Sequence, residues 1–430
     1  MRLRYSWLSP IVFRVAFAFF GGRVYTRPSV NSFLRDRKGR LLVAAMVVQY
    51  AVGGAIIPFV TLFLRERGLS LGQISLLLFW GSAVLVVSPF FWGMLADRYV
   101  PLNRLFAILN ALAIAALCAF WFQESALGLT VCFTLFYGCF QPAPTLVNAF
   151  SFHHLSDPLA QFASLRAWGS VGWILPSGPL FVWLALFPGR GHGFIVPLTI
   201  ALSLVMVGVS FLLPHTAPGS VTSRKGGSQR LGYRQAMRQL FHNPNFVVVL
   251  ASYFLISASF CLQAFYSPPR LEDLGLNKAW IGPVQSIGVV IEVLWFRCRR
   301  AVLDRMRYAD TVLVGCVVLV IRQVLFAFSD NLPLLCASYI LVGTTVVFYH
   351  IGVSIIVDTL AGPEVRATAQ ALLVLCSSGL GPMFANAIAG LLPGVKTGHL
   401  TGVFVFASLL ALMATLLVWQ RGARLDPPKK

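Results

Sequence analysis

Long apolar stretches alternate with short polar connections over most of the chain, from residue 41 to residue 420. About 20 apolar residues are enough for an α-helix to cross the hydrocarbon core of a bilayer, and a helix satisfies its own backbone hydrogen bonds there. The pattern therefore predicts twelve membrane-spanning helices. The predicted spans are 41–64, 73–95, 104–122, 126–148, 167–187, 193–213, 245–266, 279–296, 310–328, 332–356, 367–392 and 400–420.

The composition agrees with a chain that lies mostly in the bilayer. Of its 430 residues, 57% are hydrophobic and only 11% are charged, whereas a soluble protein of this size needs a far more polar exterior. The predicted fold class is an all-α integral membrane protein. The eight cysteines show no CxxC or Cys/His ligand spacing, so we expect them to pack and expect no metal and no cofactor.

The net charge of +20 is divided unequally between two alternating sets of connections. The set that contains residues 1–40 and 214–244 carries nearly all of the positive surplus, and the other set is almost neutral. Because Lys and Arg concentrate in cytoplasmic loops, both termini are predicted to be cytoplasmic. The protein itself is predicted to lie in the cell (inner) membrane. The surplus then indicates topology and contact with anionic lipid headgroups, and nucleic-acid binding is not expected.

The longest internal connection divides the spans into six plus six. We predict a basic cytoplasmic N-terminal extension (1–40), an N-terminal six-helix half (41–213), a cytoplasmic linker (214–244), a C-terminal six-helix half (245–420) and a cytoplasmic tail (421–430). The extension is either a basic leader on the membrane surface or sequence upstream of the functional start. In transporters built from repeated halves, the solute site lies near the membrane midplane between them.

Two charged residues lie well inside predicted spans: Glu292 in span eight and Arg322 in span nine. A charge near the bilayer centre costs about 2.5–3.5 kcal/mol, so such residues usually face a protein interior or a watered cavity. One hypothesis makes Glu292 a proton-coupling site and Arg322 the cation that regulates proton release. The other makes them a fixed ion pair that only holds helices together.

The segment LRAWGSVGW opens span five and puts Arg166, Ser170 and Trp173 on one helical face. A cation, a hydroxyl and an aromatic plane together suit a ring-shaped solute with polar groups. Alternatively, Arg166 extends to the headgroups and Trp173 belongs to the interfacial aromatic belt. Both interpretations stay open here.

Other polar and helix-breaking residues add to this picture. Gln263 in span seven, with Tyr349 and His350 in span ten, are further candidates for solute binding. Pro142 and Pro144 predict an interruption in span four, of the kind that often lines a cavity. In span one, GlyGly and Pro are typical of close helix packing and a bend.

The segment GMLADRYVPLNR follows span two, and it predicts a helix end at Gly93 with Asp97 and Arg98 in a tight cytoplasmic turn. It resembles the loop between the second and third spans of the major facilitator superfamily. Gly93, Asp97 and Arg98 match that loop, whereas Val100 replaces its second glycine and Arg104 alone stands for its basic cluster. The resemblance implies a structural or gating role for this loop.

Three further segments and one residue make the resemblance more specific. They are LRAWGSVGW, SIGVVIEV with Glu292, Arg322 thirty residues after that Glu, and IIVDTLAGPEVRATAQALL. Together they resemble the branch of the superfamily that contains nucleoside:proton symporters and 3-phenylpropionate permeases, over residues 41–420. This implies two pseudo-symmetric halves and a substrate site lined by Arg166, Ser170 and Glu292. Val289 stands where the symporters have a polar residue, and Tyr349 with His350 looks more like the permeases.

The resemblance implies a secondary active transporter that couples a proton to a small organic solute by alternating access. The solute classes left open are aromatic carboxylates, nucleosides and sugar-like compounds. The alternative is a non-transporting sensor or assembly partner with the same fold. We expect that the protein is not an enzyme, because the chain has no H-E-x-x-H, phosphate loop or G-x-S-x-G motif. The expected partners are the solute, the proton and lipids, and the expected state is a monomer.

Overall fold

The computed structural model describes residues 34, 36–216, 218, 233–298 and 305–425. Most of the predicted extension and tail, and much of the predicted linker, lie outside these residues. Within them, eleven helices are long and apolar enough to cross a membrane, and the helix Ile281–Cys298 occupies the place of the remaining predicted span. The ranges are α1, Arg37–Glu66; α2, Leu71–Arg98; α3, Leu102–Phe122; α4, Ala126–His154; α5, Pro158–Ile174 with Ser177–Leu186; α6, Ile195–Leu212; α7, Pro244–Asp273; α8, Ile281–Cys298; α9, Tyr308–Phe328; α10, Leu332–Gly362; α11, Glu364–Leu391; and α12, Thr401–Leu425.

Several membrane helices are broken where the sequence places proline. α4 stops at Phe140 and restarts at Pro142, as the two prolines of span four predicted. α1 is interrupted around Pro58, and α5 around Pro176. Proline lacks a backbone N–H and fits best in the first turn of a helix, so each of these breaks leaves carbonyls without their helical donor.

One predicted helix boundary was wrong. Gly93 does not end the second helix, which continues to Arg98, so Asp97 and Arg98 lie in its last turn and are exposed. The residues after Gly93 favour helix, and no proline follows until Pro101. Arg166 lies near the start of the membrane-spanning part of α5, Ser164–Leu186, as predicted, although the helix itself begins at Pro158.

Close approach between helices depends on glycines. A Cβ added to Gly54 in α1 would lie 2.1 Å from the carbonyl oxygen of Trp173 in α5. In the other half, a Cβ on Gly343 in α10 would lie 2.1 Å from the carbonyl oxygen of Gly288 in α8 and 2.7 Å from the backbone nitrogen of Glu292. Small residues let membrane helices approach this closely, so these two contacts fix α5 and α8 in place.

The two six-helix halves, α1–α6 and α7–α12, meet closely at the face away from the termini, which we call the opposite face. There α2 packs against α11, and the buried hydroxyls of Ser75 in α2 and Tyr266 in α7 are hydrogen-bonded at 2.6 Å. The face where α1 begins and α12 ends is the terminal face.

Charged residues add a second layer to the closure of the opposite face. Arg65 at the end of α1 contacts Asp273 at the end of α7, with Nη2 to Oδ1 at 2.8 Å. Lys278, between α7 and α8, places Nζ 2.5 Å from Glu66 Oε1 and 3.2 Å from Glu272 Oε1. We call these five residues the opposite-face network.

His192 and Lys278 show how completely Glu66 is engaged. The backbone N–H of fully buried His192 donates to Glu66 at 2.7 Å, and its Nδ1 lies 3.0 Å from the same carboxylate. Partial burial lowers the pKa of Lys278, but Glu66 and Glu272 outweigh that effect and hold the pKa above its usual value. The amine is therefore charged at neutral pH. The Glu66 carboxylate is thus shared by three groups: the backbone N–H and the ring Nδ1 of His192, and the amine of Lys278.

The terminal face is open between the halves. A cavity of about 980 Å³ lies between Phe152 and Phe162 of the first half and the α10–α11 region of the second, where Ser354, Asp358 and Gln370 line it. The described residues therefore adopt a conformation closed at the opposite face and open at the terminal face.

Removing the central cation of the opposite-face network should favour opening of that face. In Lys278→Ala, the carboxylates of Glu66 and Glu272 lose the amine between them. We expect the open population to rise roughly fivefold, since a partly exposed ion pair contributes about 1 kcal/mol. The distance between spin labels at the exposed positions Glu124 and His399 reports the opening of this face. Lys38→Ala, an exposed lysine on the terminal face, is the control. An unchanged distance distribution in Lys278→Ala would count against the network.

Adding one methyl group between α8 and α10 should destabilise the protein. Gly343→Ala would overlap backbone atoms of Gly288 and Glu292, and overpacking of this kind costs about 1–3 kcal/mol. We expect a lower midpoint of thermal unfolding in detergent. Gly208→Ala is the matched control, because a Cβ there meets nothing within 4 Å. Equal midpoints for both variants would contradict the packing argument.

Candidate solute and proton site

Glu292 lies where a helix of the second half meets a helix of the first. Close packing of α8 on α10 fixes its backbone, and its partly exposed side chain turns toward α5. α8 packs against α5 here, and Arg166 and Ser170 are the α5 residues that interact with the carboxylate. The site therefore joins the two halves through one carboxylate, one guanidinium and one hydroxyl.

Arg166 is directed into the protein. Its guanidinium carbon lies 4.3 Å from the centre of the Tyr50 ring in α1, a cation–π geometry. Gly169, one turn along α5, leaves room for this arrangement, because a Cβ there would lie 2.8 Å from Arg166 Nη1. The hypothesis of an arginine that extends to the headgroups does not describe this geometry.

Trp173 continues the same face of α5 beyond Ser170. Its indole packs over α1, where a Cβ on Gly53 would lie 2.8 Å from Cζ3 of the ring. The side chain is partly exposed, whereas Ser170 is buried. Arg166, Ser170 and Trp173 thus lie along one edge of α5, as their spacing predicted.

Arg322 is not placed with Glu292. Its side chain is fully buried between α9 and α10, where Nη1 donates to Ser338 Oγ at 2.5 Å and the guanidinium carbon lies 4.0 Å from the centre of the Tyr339 ring. Its Nε and Nη2 have no hydrogen-bond partner among the described residues. Glu292 and Arg322 lie on helices that are consecutive in the sequence. However, α8 and α9 each pack against α10, and the two side chains are not brought together. Arg166 takes the position beside Glu292 that was expected for Arg322.

The remaining candidates differ in how available they are to a solute. Gln263 in α7 is 3% exposed, and its Oε1 has no partner among the described residues. His350 lies in a π-helical turn of α10, partly exposed, with Nδ1 3.1 Å from the hydroxyl of Tyr253. Tyr349 is fully buried, and its hydroxyl is hydrogen-bonded to Ser252 at 3.0 Å. In this conformation His350 is the one of the three that is partly exposed.

Sequence reasoning missed two residues of this region, Tyr50 and Asn148. The Asn148 amide in α4 donates to the Tyr50 hydroxyl at 3.2 Å, which joins α4 to the tyrosine beneath Arg166. Neither residue gives a signal in an apolar span, because tyrosine counts as hydrophobic and one asparagine is common. The break at Pro142, just before Asn148 in α4, was the only available indication.

This arrangement supports an exchange of partners at Glu292. As a carboxylate, Glu292 can accept from Ser170 and offset the charge of Arg166. Once protonated, it releases both groups for a solute. No group of three or more His, Cys, Asp or Glu residues in the described part of the chain could hold a metal ion.

The chain is similar to several known transporters. The family described as Nucleoside H+ symporter matches residues 37–420. The putative nucleoside transporter YegT of Escherichia coli is 26% identical over 81% of this chain and 82% of its own. The nucleoside permease NupG of Escherichia coli is 23% identical over 77% and 81%. The probable 3-phenylpropionic acid transporter of the same organism is 26% identical over 85% and 93%.

A solved structure confirms the fold. The crystal structure of nucleoside transporter NupG superposes with a TM-score of 0.74 at 18% identity, over 92% of this chain and 100% of that chain. The predicted fold class, an all-α membrane protein with twelve helices in two six-helix halves of the major facilitator type, is confirmed. So is the resemblance to the nucleoside:proton symporter branch. Since the family match covers most of its length, the chain belongs to the nucleoside H+ symporter family.

Proposed function

We propose that the protein is a secondary active transporter that carries nucleosides together with protons by alternating access. The observation that carries this proposal is Glu292, which meets Arg166 and Ser170 at the contact between the two halves. Family membership, together with the similarity to the putative nucleoside transporter YegT and to the nucleoside permease NupG, supports the choice of solute. A non-transporting sensor is not favoured, because the family and its relatives are transporters.

The proposed orientation puts the terminal face in the cytoplasm of a cell (inner) membrane protein. The positive surplus on the connections of that face supports it. The conformation described above is then inward-facing, with the opposite-face network closing the outside. Asp97 and Arg98, with Gly93 in the same helix, lie at the cytoplasmic end of α2, where we propose a gating role. The protein is proposed to act as a monomer in contact with lipids.

Each residue of the site has a proposed role. Glu292 carries the proton. Arg166 and Ser170 bind the solute when Glu292 is protonated, and the Trp173 indole offers an aromatic surface to a nucleobase. The free Oε1 of Gln263 accepts a hydrogen bond from the solute, and His350 lines the path with Tyr349 behind it. Arg322 is proposed to stabilise the packing of α9 and α10, since its contacts are with Ser338 and Tyr339.

A neutral solute suits the charges of the site. Arg166 and Glu292 carry opposite charges when both are ionised, so together they leave no net charge for a solute to neutralise. Amide and hydroxyl groups match the hydroxyls and base edges of a nucleoside. An aromatic carboxylate is the second candidate, supported by the similarity to the probable 3-phenylpropionic acid transporter. That solute would pair with Arg166 only while Glu292 is protonated.

The coupling role of Glu292 is tested in proteoliposomes with an inward proton gradient. Wild type should accumulate uridine above its equilibrium level, and uptake should rise as the external pH falls. Glu292→Gln should lose accumulation, because an amide cannot carry the proton. It should keep uridine exchange within about threefold of wild type, less than 1 kcal/mol in the barrier.

The control for this experiment is Glu124→Gln, which changes an exposed carboxylate between α3 and α4. Uphill uptake in Glu292→Gln equal to wild type would refute the proton role. Uptake of 3-phenylpropionate without uptake of any nucleoside would replace the proposed solute with the second candidate.

The shape of the Arg166 group should matter in addition to its charge. Arg166→Lys keeps the charge but loses the planar group over the Tyr50 ring and the forked donors. We expect KM for uridine exchange to rise about tenfold, which corresponds to about 1.4 kcal/mol. Arg190→Lys is the matched control, because Arg190 also lies over aromatic rings, Trp183 and Phe187, but in the connection before α6. Equal KM values for both variants would remove Arg166 from the solute site.

A further inference from the structure

Asn148 has one half of its amide satisfied and the other half free. Its Nδ2 donates to the Tyr50 hydroxyl at 3.2 Å. Its Oδ1 is buried and has no hydrogen-bond partner among the described residues. Buried polar atoms in folded proteins are nearly always paired, so a carbonyl left free in this way needs an explanation.

The position of Asn148 connects it to the solute site. It lies in the second segment of α4, just after the break at Pro142, and this segment packs against α1 and α5. The tyrosine that accepts from its amide is the one whose ring lies under Arg166. A series of contacts therefore runs from Asn148 through Tyr50 to Arg166, whose charge acts on Glu292.

We propose that Asn148 is a solute-binding residue whose side-chain carbonyl accepts a hydrogen bond from an N–H or O–H group of the nucleoside. Tyr50 is the positioning residue, because it holds the amide nitrogen and so turns the carbonyl away from itself. This inference rests on the proposed function and adds a determinant of selectivity to it.

The fixed amide gives the site a direction. An asparagine that rotates freely can present either its donor or its acceptor, and so discriminates poorly between solutes. In the arrangement seen here Nδ2 donates to Tyr50, so the carbonyl oxygen is the atom that Asn148 offers to a solute. A solute with a donor at that point satisfies the carbonyl, whereas an analogue without the donor leaves it buried and unpaired, which is costly.

The test is a set of analogues that each lack one donor of uridine: the 2′-deoxy, 3′-deoxy, 5′-deoxy and N3-methyl compounds. Inhibition of labelled uridine exchange gives the relative affinity of each analogue in proteoliposomes without a proton gradient. In wild type, one analogue should bind about 2 to 12 times more weakly than uridine, the range for one hydrogen bond. In Asn148→Ala that penalty should disappear, because uridine loses the contact and the analogue does not.

Two further variants separate a binding role from a structural one. Tyr50→Phe keeps the ring under Arg166 and removes only the hydroxyl, so the same penalty should shrink while those of the other analogues stay unchanged. This conservative variant carries the test if Asn148→Ala does not fold. Asn110→Ala is the matched control in α3, where the buried amide donates to Gln49 and to the carbonyl of Phe106, and it should leave every penalty unchanged.

The outcomes distinguish this inference from the proposed function. If wild type does not exchange uridine or any other nucleoside, both are overturned. If wild type exchanges uridine and every analogue penalty is the same in Asn148→Ala, only the role of Asn148 is overturned. A penalty that disappears equally in Asn148→Ala and Asn110→Ala also overturns it, because the effect would then follow from loosened helix packing.

Discussion

The structure depends on the placement of one carboxylate, Glu292, between two halves that must move relative to each other. An acid inside a membrane protein is costly unless its surroundings compensate for the lost water. Here the compensation comes from the other half, through Arg166 and Ser170 of α5. Whatever changes the protonation of Glu292 therefore also changes the attraction between the halves. This links a chemical event to a mechanical one without any additional device.

The precision of that contact comes from helix packing. Gly54 lets α1 approach α5, and Gly343 lets α10 approach α8, each to a distance at which any side chain would overlap the neighbouring backbone. Hydrophobic burial does not drive helix association in lipid, so close van der Waals packing has to provide it. Each of these glycines allows close packing within its own half. They therefore also set the positions of Trp173 and Glu292. The polar site is as rigid as the apolar packing around it.

Much of the fold could be predicted from the sequence, because spans of apolar residues leave few choices. The break in α4, the face shared by Arg166, Ser170 and Trp173, and the interior acid were all predicted. The partner of Glu292 was not, because contacts between helices depend on which helices are neighbours. Arg322 is thirty residues away in sequence and packs against Tyr339, whereas Arg166 comes from the other half. Tyr50, Asn148 and Lys278 were missed for the same reason, since each acts through a contact across helices.

The opposite-face network has a further consequence. Its ion pairs lie at the ends of the membrane-spanning helices, and the side chains of Lys278 and Arg65 are both partly exposed. Dissolved salt screens such charges, over about 8 Å at physiological ionic strength and over much longer distances in dilute media. In dilute surroundings the attraction across this face strengthens, and in brine it weakens. The salt concentration at the opposite face therefore acts on how readily the protein opens to that side, independently of the solute.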